Sequence, residues 1–159
     1  MAEPQPIRAG NDAPLIVMKD VWKIFGERQQ EALAALRSGL GKEDVAARFG
    51  CVAGVAGVSL SVASGEIFCI MGLSGSGKST LVRHINRLLE PTAGEILVGG
   101  ENLMAKSPAD LRSLRSHRIG MVFQNFGLLP HRTVRDNVAL PLEIQRATRQ
   151  KRFEVAETA

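Results

Sequence analysis

Nine consecutive residues, at positions 72–80, carry the strongest chemical signal in this sequence. They match the pattern G-x-x-x-x-G-K-[ST], and its glycines let backbone N–H groups wrap closely around an anion. The Lys78 ammonium can then reach the β- and γ-phosphates of a nucleotide, and the Ser79 hydroxyl can ligate Mg²⁺. The segment therefore predicts a nucleotide site. The predicted phosphate-binding residues are Gly72, Leu73, Ser74, Gly75, Ser76, Gly77, Lys78, Ser79 and Thr80.

The chain on either side of this motif has the pattern that a phosphate-binding loop needs. Residues 65–71 form an apolar run that follows a glycine, which is typical of a buried parallel strand. After the motif, apolar residues recur on one helical face as far as Leu89, and Pro91 is expected to end the helix. A helix that begins near Lys78 directs the positive end of its dipole at the anion. This context favours a phosphate loop over a Gly/Ser-rich surface loop.

The bulk composition predicts one soluble globular domain in the cytoplasm. The chain has 159 residues, of which 45% are hydrophobic and 23% charged. No apolar run approaches the roughly 18–20 residues of a membrane span, and residues 1–14 lack the apolar segment of a signal peptide. The net charge of +4 could suggest a nucleic-acid partner, but the basic residues are scattered and aromatics make up only 4%. We therefore expect no nucleic-acid binding.

Cysteine and histidine patterns do not predict a metal site. Cys51 and Cys69 are expected to be reduced thiols, with Cys69 inside the predicted buried strand. His84, His117 and His131 have no metal-ligand spacing, and we expect them on the surface, His84 on the polar side of its helix.

The remaining elements can be placed from periodicity and capping residues. Residues 1–14 are rich in proline and predict a flexible tail, and residues 27–49 predict two short helices that form an insertion. Ser107 and Thr133 each precede an expected helix as N-cap. The final helix is expected to run from Leu142 to Ala159. Strands are predicted at 15–25, 52–62, 94–98 and 118–123.

In these motifs the sequence resembles the ATP-binding subunits of ABC importers, and most nearly the glycine betaine/proline (quaternary amine osmoprotectant) uptake family. The resemblance covers roughly residues 15–148 and rests on residues 23–26, 65–80 and 122–131 together with the helical insertion. It implies an α/β fold: the P-loop NTPase core of an ABC ATPase with an antiparallel β subdomain, truncated before the signature motif and Walker B. Residues 15–159 are then a partial ATP-binding domain, with a Q-loop at 124–134 and the start of the helical subdomain at 135–159.

Two further site residues are implied by this resemblance. Phe25 matches the aromatic residue that stacks on adenine, and a core strand position is its alternative role. Gln124 matches the Q-loop glutamine, whose carbonyl can ligate Mg²⁺ together with Ser79, and a structural glutamine is the alternative. ATP and Mg²⁺ are the implied cofactors.

The resemblance ends before the hydrolytic elements of the family. The sequence has no LSGGQ-type motif, no strand ending in Asp-Glu and no switch histidine, while Asp110, Asp136 and Glu143 lie on predicted helices. We therefore assign no complete catalytic set and expect no meaningful ATP turnover by this chain alone.

The implied function is the ATP-binding part of an importer ATPase that energises uptake of glycine betaine/proline-type osmolytes. The implied partners are a transmembrane permease contacted through the Q-loop region, a second ATP-binding subunit in a homodimer and, indirectly, a substrate-binding protein. This places the protein on the inner face of the cell membrane as a peripheral subunit. The alternatives are a small kinase, a GTPase, a DNA-maintenance ATPase or a non-functional truncated fragment. However, the sequence has neither a late basic lid nor an Asn-Lys-x-Asp motif.

Overall fold

The computed structural model describes residues 13–124 and 127–159, and the chain divides into two compact units. The first unit is Met1–Lys106 and the second is Ser107–Ala159. Most of the predicted tail over residues 1–14 lies outside the described residues. Only Ala13 and Pro14 are described, and both are exposed without regular structure.

The first unit is built on a four-stranded antiparallel sheet with the order β2-β1-β3-β4. Its strands are β1 (Ile16–Phe25), β2 (Val52–Val62), β3 (Ala93–Val98) and β4 (Glu101–Asn102). Strand β1 is central, because it pairs with β2 on one side and with β3 on the other. Three of the predicted strands are thus confirmed to within a residue, and so is the antiparallel β subdomain.

The buried residues of β1 recur every three positions rather than every two. Met18, Val21 and Ile24 are each at most 1% exposed. Strict alternation would send them to opposite faces, but the register with β2 shifts between Met18 and Val21 and again before Ile24. Asp20, with φ of 46°, lies at the first of these irregularities. Bulges in β1 therefore keep all three apolar side chains in the core.

The segment between β1 and β2 folds as the two predicted helices, α1 (Gln29–Arg37) and α2 (Lys42–Phe49). Leu33 of α1 and Val45 of α2 pack with Ile24 and Cys51 in one buried cluster. Helix α2 ends at Gly50, which has the left-handed conformation common after a helix. Burial of an apolar face holds these short helices on the sheet.

Helix α3 (Lys78–Ile85) begins where the phosphate motif predicts but ends earlier than expected. The prediction that Pro91 ends it was wrong. Arg87 has φ of 51°, and the Leu88 N–H bonds to Asn86 Oδ1 instead of continuing the helical ladder. Leu88 and Leu89 therefore lie beyond the helix.

The second unit contains three helices, α4 (Pro108–His117), α5 (Val134–Ile144) and α6 (Arg149–Thr158). The Ser107 hydroxyl accepts a hydrogen bond from the Asp110 N–H, and Thr133 accepts from Asp136 in the same way, which confirms both predicted caps. The single helix predicted for 142–159 was wrong. It is broken at Gln145–Thr148, where Arg146 has φ of 61° and Thr148 caps a new helix.

Two predicted strands, at 65–71 and 118–123, are absent from the described residues. Ile67 is 92% exposed and Val122 97%, and neither run has a strand partner. An extended run becomes a buried strand only when neighbouring strands satisfy its backbone groups, and all pairs described here lie among β1–β4. Cys69 is consequently exposed rather than buried, whereas Cys51 is buried.

No helix in the described ranges is long and apolar enough to cross a bilayer.

Candidate functional site

The side chain of Lys78 folds back into the loop that precedes it. Its Nζ donates hydrogen bonds to the carbonyl oxygens of Gly72 (2.8 Å) and Leu73 (2.6 Å) and lies 3.4 Å from Ser76 Oγ. All three partners are neutral. The loop is therefore wound around its own ammonium group, and none of these three partners is a carboxylate.

Two glycines of the loop lie where a Cβ would clash, Gly77 against strand β2 and Gly72 against the loop itself. Gly77 has φ of 90°, and a Cβ at this position would lie only 2.1 Å from the Gly54 carbonyl oxygen. A Cβ at Gly72 would lie 2.8 Å from Ser76 Oγ. Only glycine fits at Gly77, both in space and in backbone conformation. The loop is thus packed against β2 at Gly54.

The N-terminus of α3 opens directly from this loop. Gly77 is the N-cap, no side chain caps the helix, and the first turn contains no acidic residue. The first N–H groups of a helix have no intrahelical partner, and the dipole makes this end positive. Ser79 lies in this turn and is exposed. The arrangement suits a bound anion together with a cation held by the Ser79 hydroxyl.

A cavity of about 340 Å³ lies beside the loop and is lined by β2 residues, by the loop and by Lys42 of α2. Its apolar wall includes Val55 and Leu81, and its polar wall includes Ser76 and Lys78. The sequence did not point to Lys42. The only available signal was its place at the start of a helix in the inserted segment.

Phe25 lies at the end of β1, next to the strand residue that supports the loop. A Cβ at Gly54 would lie 2.6 Å from Phe25 Cε2, so the ring covers Gly54 closely. The Lys23 ammonium is 5.3 Å from the ring centroid. Phe25 is 40% exposed, and its ring therefore has surface left for a further contact. Gly54 therefore lies close both to the Phe25 ring and to Gly77.

Gln124 belongs to the second unit and is exposed at a bend. Its role stays a prediction. Leu128 is 63% exposed, while Phe126 lies outside the described residues.

The part of the Q-loop region that follows is held by a residue that the sequence did not reveal, Asn137. Its Oδ1 accepts from the Leu129 N–H at 2.8 Å, and its Nδ2 donates to the carbonyls of Leu129 and Thr133.

His84 is fully buried on α3, so the prediction of a surface position was wrong. Its Nδ1 donates to the Leu89 carbonyl at 2.7 Å, and among the described residues its buried Nε2 has no hydrogen-bond partner. Burial lowers the pKa of His84, and the nearby Lys23 charge contributes to this shift. The chain after α3 returns to the ring at Leu89, whose N–H also bonds to the Arg83 carbonyl at 3.2 Å. His117 and His131 are exposed, as expected.

Two carboxylates of the second unit that could act as a base, Asp136 and Glu143, are engaged in helix capping and ion pairs. Asp136 accepts from the Thr133 hydroxyl at 2.6 Å, which lowers the pKa of Asp136. Glu143 pairs with Arg132 at 3.0 Å and with Arg152 at 2.9 Å, and the bond to Arg132 lowers the pKa of Glu143. Within residues 13–124 and 127–159, no cluster of three or more His, Cys, Asp or Glu could hold a metal ion.

Comparison with known proteins gives consistent matches over most of the chain. The family model described as ABC transporter matches residues 55–159. The glycine betaine/proline betaine transport system ATP-binding protein ProV of Salmonella typhimurium is 48% identical over 139 residues, which are 87% of this chain and 35% of ProV. The trimethylamine N-oxide transport system ATP-binding protein TmoW of Ruegeria pomeroyi is 54% identical over 149 residues, covering 91% of this chain and 44% of TmoW.

The fold is similar to that of a solved ATP-binding cassette. The dimeric post-hydrolysis structure of MJ0796 bound to ADP and Pi superposes with a TM-score of 0.71 at 30% sequence identity, over 90% of this chain and 54% of that chain. The chain spans between a third and a half of the length of the two curated relatives.

Proposed function

The chain belongs to the ABC transporter family, and from that premise we propose that it binds ATP–Mg²⁺ through residues 72–80 as the nucleotide-binding part of an importer ATPase. The observation that carries this proposal is the Lys78 ammonium, held only by neutral partners beside an uncapped helix N-terminus. Positive charge and free N–H groups converge there, as a polyphosphate requires.

The Mg²⁺ ion would be held by oxygen atoms of the nucleotide and by few protein ligands. Mg²⁺ favours oxygen ligands and keeps several waters, so one hydroxyl from Ser79 and one amide oxygen from Gln124 suit it. The ion would neutralise charge between the phosphates. Lys78 and the first turn of α3 hold and orient the phosphate chain.

The base of the nucleotide is proposed to stack on Phe25. The ring is partly exposed, and it adjoins Gly54, which supports the loop on its other side. A flat aromatic face offers dispersion contact to any purine, and no residue identified here reads the edge of the base. We therefore propose weak discrimination between ATP and GTP.

The proposed substrates of the complete transporter are small osmolytes of the glycine betaine/proline type. This proposal draws on the names of the relatives, which cover glycine betaine, proline betaine and trimethylamine N-oxide transport. Uptake requires a membrane permease, and we place its contact at residues 124–134, where Leu128 is exposed. A second ATP-binding subunit is proposed by analogy with the dimeric neighbour, and a substrate-binding protein takes part indirectly. The protein then acts at the inner face of the membrane.

No catalytic base is assigned in this chain. Asp136 and Glu143 are engaged by Thr133, Arg132 and Arg152, and binding the ground state alone does not raise the chemical rate.

Calorimetric titration with ATP and Mg²⁺ tests the proposed site. Lys78→Ala should weaken ATP binding by about 100-fold or more, since it removes the only ammonium inside the loop among the described residues. Lys19→Ala is the matched control, because Lys19 lies on β1 and forms an exposed ion pair with Glu95 of β3. Equal ATP affinity in the Lys78→Ala and Lys19→Ala variants would refute the site.

A further inference from the structure

The helical segment between β1 and β2 brings a second lysine to the cavity beside the loop. Lys42 is the first residue of α2 and lines the same cavity as Ser76, Gly77 and Lys78. Two ammonium groups from separate elements therefore border one space of about 340 Å³.

The charge of Lys42 is not neutralised by any residue that the structure describes. None of the ion pairs found among residues 13–124 and 127–159 includes Lys42. Glu43 and Asp44 share the first turn of α2 with it, but neither lines the cavity. The described lining contains two lysines and no carboxylate, so its electrostatic character is positive.

Helix α2 holds the backbone of Lys42 in place. Val45, one turn further along the helix, is 1% exposed and packs with Ile24 and Cys51 in the core. The Val45 N–H also closes the first turn by bonding to the Gly41 carbonyl at 3.0 Å. The backbone of Lys42 is thus anchored, while its long and flexible side chain can adjust to reach an anion.

We propose that Lys42 is a second cationic ligand for the phosphates of the nucleotide, supplied by the inserted helices. The inference rests on the proposed function, because it concerns the same bound nucleotide. A triphosphate carries several negative charges, and Lys78 with one helix N-terminus balances only part of them. Lys42 adds a positive charge to the cavity from helix α2. The inserted helices would therefore contribute directly to nucleotide affinity.

The test compares Lys42→Met with Arg48→Met by calorimetric titration of the whole chain. Both changes remove a positive charge from α2, but Arg48 lies in its last turn and does not line the cavity. Lys42→Met should lower ATP affinity roughly 3- to 10-fold, and Lys42→Arg should restore most of it, as expected for a charge-assisted contact in partial solvent. Arg48→Met should bind ATP as the unchanged chain does. Because Lys42 is exposed, the thermal midpoint should stay the same in all three variants.

A series of ligands identifies the part of the nucleotide that Lys42 contacts. The affinity lost in Lys42→Met should be largest for ATP, smaller for ADP and absent for adenosine, because only the phosphates carry charge. An equal loss for adenosine would overturn the phosphate role, and so would a loss that Lys42→Arg does not restore. Wild-type ATP affinity in Lys42→Met, with binding still lost in Lys78→Ala, would overturn the inference and leave the proposed function standing. If the unchanged chain does not bind ATP at all, both fail.

Discussion

Lys78 is held by backbone carbonyls, and this choice of partners matters for anion binding. A lysine that is paired with a carboxylate must give up that pair before it can attract a phosphate. Here the ammonium contacts the neutral oxygens of Gly72, Leu73 and Ser76, so its charge remains available. The loop therefore organises the lysine without neutralising it.

Phe25→Ala tests the proposed stacking role. Removing the ring should lower ATP and GTP affinity together, by about 5- to 20-fold, because stacking on an aromatic face contributes about 1–2 kcal/mol regardless of the purine. Phe25→Leu serves as the control for lost apolar area, and it should recover only part of the affinity. Fluorescence titration with both nucleotides provides the measurement. A deficit limited to ATP would contradict stacking, because it would indicate recognition of the base edge.

His84 makes the folded state sensitive to mild acid. Its folded pKa lies below the ordinary value of 6.5, so below that value the unfolded chain binds a proton that the folded chain resists. Its contribution to stability is therefore complete above the unfolded pKa and declines as the pH falls toward the folded pKa. Burial and the Lys23 charge both disfavour the imidazolium, and the bond to the Leu89 carbonyl offsets only part of this.

Urea unfolding at about pH 7.5 and about pH 5.5 measures this sensitivity. The free energy of unfolding should fall between these values. The fall should be smaller in His84→Gln, which keeps a neutral polar group but cannot titrate. Exposed His117 provides the control, since His117→Gln should leave the pH dependence as it is. An identical pH dependence in His84→Gln would show that other groups cause it.

At the scale of elements, the site is an assembly of β1, β2, the loop and α3 around Gly54. This glycine contacts Phe25 on one strand and Gly77 at the start of α3. Because neither contact leaves room for a Cβ, the strand and the loop approach each other through backbone atoms alone. The sheet thereby sets the distance between the aromatic ring and the phosphate loop.

Gly77→Ala tests this close packing against a matched glycine. Gly39 also has positive φ, at 96°, but a Cβ there meets nothing within 4 Å. Gly39→Ala should therefore cost only backbone strain, about 1 kcal/mol of unfolding free energy. Gly77→Ala adds a clash with the Gly54 carbonyl and should cost at least about 2 kcal/mol and lose ATP binding. Equal losses of unfolding free energy in Gly77→Ala and Gly39→Ala would mean that the loop can move away from β2 and relieve the clash at little cost.

The sequence predicted elements well where the signal was local. The Ser107 and Thr133 caps were found because a hydroxyl and an acid three residues later satisfy the first N–H groups of a helix. The start of α3 at Lys78 was found for a similar reason, since the motif and the apolar periodicity after it are local signals.

The sequence failed where the outcome depends on distant partners. The run at 65–71 is apolar enough for a strand, but pairing decides whether it becomes one, and none of the described strands pairs with it. His84 was placed on the surface because helical periodicity does not show that the chain beyond the helix returns to its ring at Leu89. Asn137 was missed because an asparagine in a helix does not by itself indicate bonds to the preceding loop, and Lys42 because the cavity that it lines is formed by residues distant in sequence.

At the scale of the whole molecule, the residues proposed to bind the nucleotide and those proposed to contact a permease lie mainly in different units. Met1–Lys106 contains the phosphate loop, Phe25 and Lys42, while Ser107–Ala159 contains Gln124 and the proposed permease contact. Nucleotide binding should therefore be measurable mainly in the first unit. In this proposal a signal to the permease would depend on Gln124, which follows the exposed residues Val122 and Phe123.

Hydrogen exchange with and without ATP–Mg²⁺ tests the central claim most directly, because it locates binding along the chain. We expect slower exchange at residues 72–81 and smaller protection near Phe25 and Lys42. Strand β4 and helix α6 should be unchanged. The Lys78→Ala variant should show no protection under the same conditions. Protection confined to other segments, or protection of residues 72–81 that persists in Lys78→Ala, would contradict the assignment of the loop as the nucleotide site.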